Sequence, residues 1–289
     1  MFVHGDNLAQ KEADIRKYND TKSRQYLSEI RVEYDKWRRA NEALIGPGKM
    51  VAPTDGDIVE QRVQLLNEYK DFIDQQHYAE HFDSRSNLHS SVLEEFMYYL
   101  FKDLANEFSR DALIGKSHAF KDLFFRGSNY PEMLSSPCAF VEEKDHDFVI
   151  GASIDAKFKC KGESRVEDAC FEIPAVAIEC KTYLDKTMLE GASNAGAQLK
   201  DRNPNALYIV VAERLKLTEA VNLKKYKVDQ IYVLRKQKNT DREFRYDPAY
   251  VSNPIYADVV LHLFNYVRAF LLADWRGGIA DGIQRGYLI

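Results

Sequence analysis

Pro174-Ala175-Val176-Ala177-Ile178-Glu179-Cys180-Lys181, with Lys144-Asp145-His146-Asp147-Phe148-Val149-Ile150 upstream, decides the fold of this 289-residue chain. Both stretches read as β-strands, and strand side chains alternate between faces. Glu179 and Lys181 therefore share one face, while Val176, Ile178 and Cys180 point into a core. A second carboxylate from the upstream strand would complete a pair able to hold a divalent cation, beside a lysine able to orient water. Either Asp145 or Asp147 could supply it. Asp147 leads Phe148-Val149-Ile150 directly, whereas Asp145 suits the preceding turn.

An acidic-x-Lys triplet alone is a weak signal, and the chain has five, at Asp20, Glu68, Glu142, Asp155 and Glu179. The first two fall in helical sequence, where the side chains diverge around the cylinder. Glu142-x-Lys144 precedes a charged turn. Asp155-x-Lys157 follows an apolar run but has no comparable Asp-led strand before it. Glu179-x-Lys181 alone ends a clean apolar strand, where burying charge is costly unless the charges pair or bind metal.

Outward from this centre, the spacing of Ile15, Tyr18, Tyr26, Leu27, Ile30, Tyr34 and Trp37 predicts a helix over residues 8–44. Gly46-Pro47-Gly48 stops it, and a second helix is expected from Asp57 to Gln76. A third starts near Ser91, with Ser91-x-x-Glu94 as a capping box and Leu93, Phe96, Met97, Leu100, Phe101 and Leu104 as its buried stripe. Glu95 is expected opposite that stripe. Either glutamate could add a carboxylate to a metal site.

Strands are expected at 139–143, 147–154, 171–181, 206–212 and 230–235, helices at 185–200 and 254–275. The order helix, three strands, helix, strand gives an α/β architecture, a mixed central sheet flanked by helices. Two regions follow: a helical N-terminal region at 1–85, serving an interface or supporting DNA binding, and a catalytic domain at 86–289.

Composition is that of an ordinary globular protein, 45% hydrophobic and 29% charged. The N-terminus lacks the pattern of a signal peptide, apolar runs are too short to cross a membrane, and the four cysteines show no CxxC spacing. A cytoplasmic location with reduced thiols is expected. The net charge of −5 argues against indiscriminate coating of nucleic acid. Yet residues 214–245 carry ten Lys or Arg against four Asp or Glu, an excess of six positive charges suited to a DNA-facing edge.

Asp147, Glu179-x-Lys181 and this element order resemble the PD-(D/E)xK nuclease superfamily. More narrowly, Ser91-Val92-Leu93-Glu94-Glu95-Phe96, Asp145 to Gly151, and Pro174 to Lys181 with Tyr183-Leu184 resemble subunits of BbvCI-type heterodimeric restriction endonucleases. Leu207 to Glu213 and Asp229 to Arg235 are similar too, so the resemblance runs from about residue 90 to about 240. His146 stands where the superfamily usually has proline, which leaves Asp145 and Asp147 both open.

The resemblance implies a bacterial type II restriction enzyme subunit that hydrolyses double-stranded DNA at a short site. It implies Mg²⁺ held by Asp147, Glu179 and the carbonyl of Cys180, with Lys181 positioning water. It implies work beside a homologous second subunit, each chain cutting one strand; a second copy of this chain is the alternative partner. A repair nuclease of the same superfamily is a further reading.

His77-Tyr78-Ala79-Glu80-His81 matches the H-x-x-E-H of inverted zinc metalloproteases. Its flanks read as a fraying helix end, which favours two exposed histidines. Lys200 to Asn203 and Arg235 to Asn239 are candidates for groove contact, although polar surface turns describe them equally well.

Overall fold

Val176, Ala177 and Ile178 are almost fully enclosed, because the strand they form is covered on both faces. The computed structural model describes residues 2–82, 87–240, 242–275 and 279–286. Within them a five-stranded sheet runs in the order β1 (Leu113–Phe125), β2 (Ala139–Phe158), β3 (Glu167–Leu184), β4 (Leu207–Leu215) and β5 (Gln230–Val233). β2 runs antiparallel to both β1 and β3, while β3, β4 and β5 are parallel. Parallel strands need a crossover, and α7 (Lys186–Arg202), which follows the short α6 (Tyr130–Ser135) in chain order, supplies it between β3 and β4.

On one face Phe148, Ile150, Val176, Ile178 and Cys180 pack under α5 (Ser91–Phe108). There Phe101 lies 5.7 Å from Phe148 and 5.6 Å from Phe264 of α8 (Ala257–Leu272), ring centre to ring centre. On the other face Val149, Ala177, Tyr208 and Val210 meet Leu189, Ala192, Ala195 and Leu199 of α7. β4 is buried along nearly its whole length, as a parallel strand covered twice must be.

The helices α1 (Val3–Ala13), α2 (Thr21–Ala43), α3 (Asp55–Ile73) and the single-turn α4 (Gln76–His81) join the α5 side. The predicted helix over residues 8–44 is in fact two. Asp20 ends the break by accepting a hydrogen bond from Ser23 N, which starts α2 afresh. One apolar core runs from Leu8 of α1 to Val267 of α8, so it is continuous across the 85/86 division. The division itself, with Asp83-Ser84-Arg85, lies outside the described residues.

Three expectations need correction. The strands at 139–143 and 147–154 are one strand, β2, which runs through Asp145, so that residue is not in a turn. The first strand of the trio is β1, in a stretch where the sequence pattern predicts no strand. The capping box at Ser91 does not form: the cap position is Ser90, and Ser91 Oγ instead donates to Asn87 O at 2.7 Å and meets His4 Nδ1 at 2.9 Å.

Register shifts bend the sheet on both sides of β2. Between Gly115↔Val149 and Ser117↔His146, β2 spends one residue more than β1, a bulge at Asp147 and Phe148. At Gly151 the β2–β3 register shifts as well. A Cβ there would sit 2.2 Å from Ile173 O, so only glycine fits.

Candidate active site

The bulge in β2 aims Asp147 at the end of β3. Cys180 N donates to Asp147 Oδ2 at 2.8 Å, so the backbone of β3 holds the carboxylate. Lys181 Nζ lies 2.6 Å from Glu179 Oε1 and 3.3 Å from Asp147 Oδ2, between the two carboxylates. Tyr208 of β4 donates to Glu179 Oε2 at 3.3 Å. The structure brings the three sequence-predicted side chains together, each about three-quarters enclosed.

Electrostatics follow from that burial. Asp147 is raised by its burial and by the Glu179 charge, against the opposing pull of Lys181 and the Cys180 amide. Burial alone would lower Lys181, but the charges of Asp147 and Glu179 outweigh it and hold the ammonium above the usual lysine range. Lys181 is therefore a fixed cation and donor at neutral pH. Burial also raises the Cys180 thiol, which sits in the core as a small apolar side chain. His146 is enclosed against Tyr208, ring centres 5.8 Å apart, and burial with Lys144 nearby lowers it to about 4, so it is neutral.

The adjacent glutamates of α5 part company. Glu94 faces the site: burial and then the Asp147 charge raise it to about 7, and Lys116 Nζ is 3.7 Å from its Oε2. That buried oxygen has no hydrogen-bond partner. Glu95 turns away and is fully buried, contrary to the expectation of an exposed face. It accepts from His4 N, Gly5 N, Tyr34 Oη and Tyr99 Oη. The sequence signal for Glu94 is its place beside the apolar stripe, which the Ser91-x-x-Glu94 pattern masks.

Asp145 pairs with the exposed His118 instead of joining the site. The rival Asp155-x-Lys157 stands on the exposed outer part of β2, where Lys157 reaches Asp168 at 3.8 Å. Oxygen donors such as Asp147, Glu179 and Glu94 suit a hard divalent cation, and the unpartnered Glu94 oxygen has room in its valence for one. Among the described residues no three His, Cys, Asp or Glu are already gathered as a metal cage. Lys181 occupies the space between the carboxylates.

The model of the Bpu10I restriction endonuclease family matches residues 85–288, which takes in every element from α5 to α9 (Ile279–Arg285). The chain belongs to the Bpu10I restriction endonuclease family. It is accordingly a type II site-specific deoxyribonuclease. The fold agrees with a solved structure, the native BbvCI A2B2 tetramer at low resolution. The two chains share 19% identity with a TM-score of 0.66, over 93% of this chain and 96% of that one. A sequence search of curated proteins gave no match.

Other motifs of this Bpu10I-family chain have ordinary partners. His81 Nε2 meets Ser23 Oγ at 2.7 Å, the His77 ring lies against Tyr78, and Glu80 accepts from Gln76, so H-x-x-E-H is not assembled for zinc. Arg202 pairs with Asp122, and Asn203 Nδ2 donates to Pro174 O. The basic stretch 214–245 is not one surface: Arg214 and Arg235 are buried, whereas Lys216, Lys224, Lys225 and Lys227 are exposed. Among the described residues no helix is long and apolar enough to cross a membrane.

Proposed function

We propose that the chain is the strand-cutting subunit of a Mg²⁺-dependent restriction endonuclease, with Asp147, Glu179 and Lys181 as its catalytic residues. The observation that carries this is the ammonium of Lys181 held between the two carboxylates. Restriction endonucleases generally use divalent metal ions. Asp147, Glu179 and the Cys180 carbonyl would hold the cation, with Glu94 turned towards them from α5. When bound, such an ion supplies Lewis acidity towards the phosphate and lowers the pKa of water.

The protein's own groups do the rest. Lys181 stays protonated, so it donates hydrogen bonds and positive charge to the attacked phosphate and to the incoming water, and does not serve as a general base. Tyr208 and Lys181 fix the two oxygens of Glu179, and the Cys180 amide fixes Asp147. A site held this firmly needs little reorganisation as charge builds on the phosphate.

The subunit partner is proposed from the BbvCI likeness, whose solved assembly is an A2B2 tetramer. A homologous second chain would then cut the other strand. The test is a supercoiled-plasmid assay with Mg²⁺, with this chain alone and then beside a co-expressed neighbouring homologue. Linear product that needs the partner, and nicks when the partner's lysine is replaced, support the reading. In Lys181→Ala, cleavage should fall by about a hundredfold or more while DNA binding persists. Near wild-type cutting by that variant refutes the assignment.

A further inference from the structure

A cavity of about 490 Å³ opens where β3, β4 and β5 end, on the strand that carries the proposed nuclease site. Thr182 and Tyr183 line it, so it begins with the residue after Lys181. Tyr183 is paired with Arg214 as Lys181 is paired with Ala212. Two residues of strand place Arg214 and Tyr183 roughly 7 Å beyond Lys181.

The charges around this space are unevenly matched. Lys70 lies 3.0 Å from both Asp74 and Glu213, and Arg235 Nε lies 3.0 Å from Glu213. Those four groups largely neutralise one another inside the protein. Arg214 is less closely matched: its NH2 donates to Ser252 Oγ at 2.8 Å, Glu213 is 3.9 Å from its NH1, and Asp71 and Arg245 line the same space. Arg214 is more than nine-tenths buried, yet its Nε has no hydrogen-bond partner.

Tyr250 Oη, on the same cavity, is buried without a partner too. A buried donor left unsatisfied is costly, and two such donors facing one space call for a ligand with acceptor oxygens. A cavity of this size admits more than a bare ion. A guanidinium with a free edge suits phosphate oxygens. Strands of open α/β sheets also present ligand sites at their carboxyl ends.

The geometry points to this cavity as the seat of a second backbone phosphate of the DNA strand being cut, held by Arg214 with Tyr250 beside it. This inference rests on the nuclease reading of Lys181, since it places the second phosphate one step along from the first. Its role is to set the register of the strand over the catalytic lysine. Its ligand chemistry is that of a phosphate oxyanion, shared by duplex DNA and inorganic phosphate.

The experiment is binding of the full chain to fluorescently labelled duplex DNA of mixed sequence, in chelator, over a potassium chloride series. Each phosphate contact contributes about 0.9 to the slope of log affinity against log salt. Arg214→Ala should lower that slope by about 0.9 and weaken binding about tenfold, and inorganic phosphate should compete with DNA on the wild type but not on this variant. Unchanged slope and affinity would overturn the proposal. Loss of a phosphate-induced rise in melting temperature with the DNA slope unchanged would mark a free-phosphate site and overturn the DNA assignment.

Should Arg214→Ala fail to fold, Tyr250→Phe decides, since it removes one hydroxyl and keeps the ring. About threefold weaker duplex binding with an unchanged melting temperature supports the site, and wild-type affinity sinks it. Cleavage by Lys181→Ala is read separately. Cutting that survives there removes the catalytic reading, while a lowered slope in Arg214→Ala would still establish the phosphate contact.

Discussion

The amide of Cys180 donates to Asp147 Oδ2 at 2.8 Å, so the strand carrying Glu179 and Lys181 also orients the carboxylate of its neighbour. Asp145, two residues earlier on β2, points to solvent and pairs with His118. The two aspartates should therefore differ sharply. Asp147→Asn is expected to reduce plasmid cleavage about a hundredfold or more. Asp145→Ala should cut within about twofold of wild type, since an exposed pair contributes little. Equal losses in the two variants would contradict the assignment of Asp147.

The centre of the sheet was legible in the sequence because Val176 to Ile178 and Leu207 to Ala212 are buried on both faces, leaving unbroken apolar runs. β1 was not legible. Its inner half alternates, but the buried positions are the small Gly115, Ser117 and Ala119, and its outer half is paired with β2 away from either core, so no apolar alternation marks it. The carboxylate–lysine centre could be read because strand alternation places Glu179 and Lys181 without any tertiary knowledge. Glu94 and Glu95 could not be separated that way. Their roles depend on His4, Gly5 and Asp147, residues distant along the chain that only folding brings near.

Glu94 should make stability depend on pH between about 4 and 7. Its carboxyl is raised to about 7 by burial and by Asp147, whereas in the unfolded chain it ionises near pH 4.3. Over that interval the folded protein keeps a proton that the unfolded chain has released, so stability falls as pH rises and levels off above 7. Glu94→Gln removes the effect. In chelator, its melting temperature should exceed that of wild type by several degrees at pH 8 and match it below pH 4. Parallel melting curves across the pH range would show that Glu94 does not hold its proton.

Glu95 fastens the N-terminal helices to α5. His4 N and Gly5 N lie in the first turn of α1, where Phe2 offers no side-chain cap, and the Glu95 carboxylate accepts from both, at 2.9 and 3.0 Å. An anion at a helix N-terminus satisfies free amides and complements the dipole. Tyr34 and Tyr99 add hydroxyl donors at 3.0 and 2.7 Å. Glu95→Ala strands these donors in the core and should destabilise the fold by about 3 kcal/mol or more. Denaturant unfolding measures it. At temperatures well below the transition, cleavage should survive, because Glu95 faces away from Lys181.

Glu213 joins α3 to the ends of β4 and β5. It is 1% exposed, with Lys70 on one oxygen and Arg235 on the other, each at 3.0 Å. Burial alone would push its carboxyl up, but Lys70 and Arg235 outweigh that and hold it below the usual range. A carboxylate lowered in the folded state stabilises fully above the unfolded range near pH 4.3, and that contribution is lost as pH falls through the folded value. Lys70 runs the other way. Asp74 and Glu213 keep it above the usual lysine range despite burial, so its contribution is present below pH 10.4 and fades as pH rises past its folded value. Glu213→Gln leaves Lys70 and Arg235 as buried cations with too little compensating charge, and should cost about 3–5 kcal/mol at pH 7. The deficit should shrink as the wild type is acidified below pH 4, because there the wild type loses the same charge. A denaturant series at pH 7 and pH 3 reads both numbers, and an equal deficit at the two would show that the Glu213 charge is not what holds α3 to the sheet.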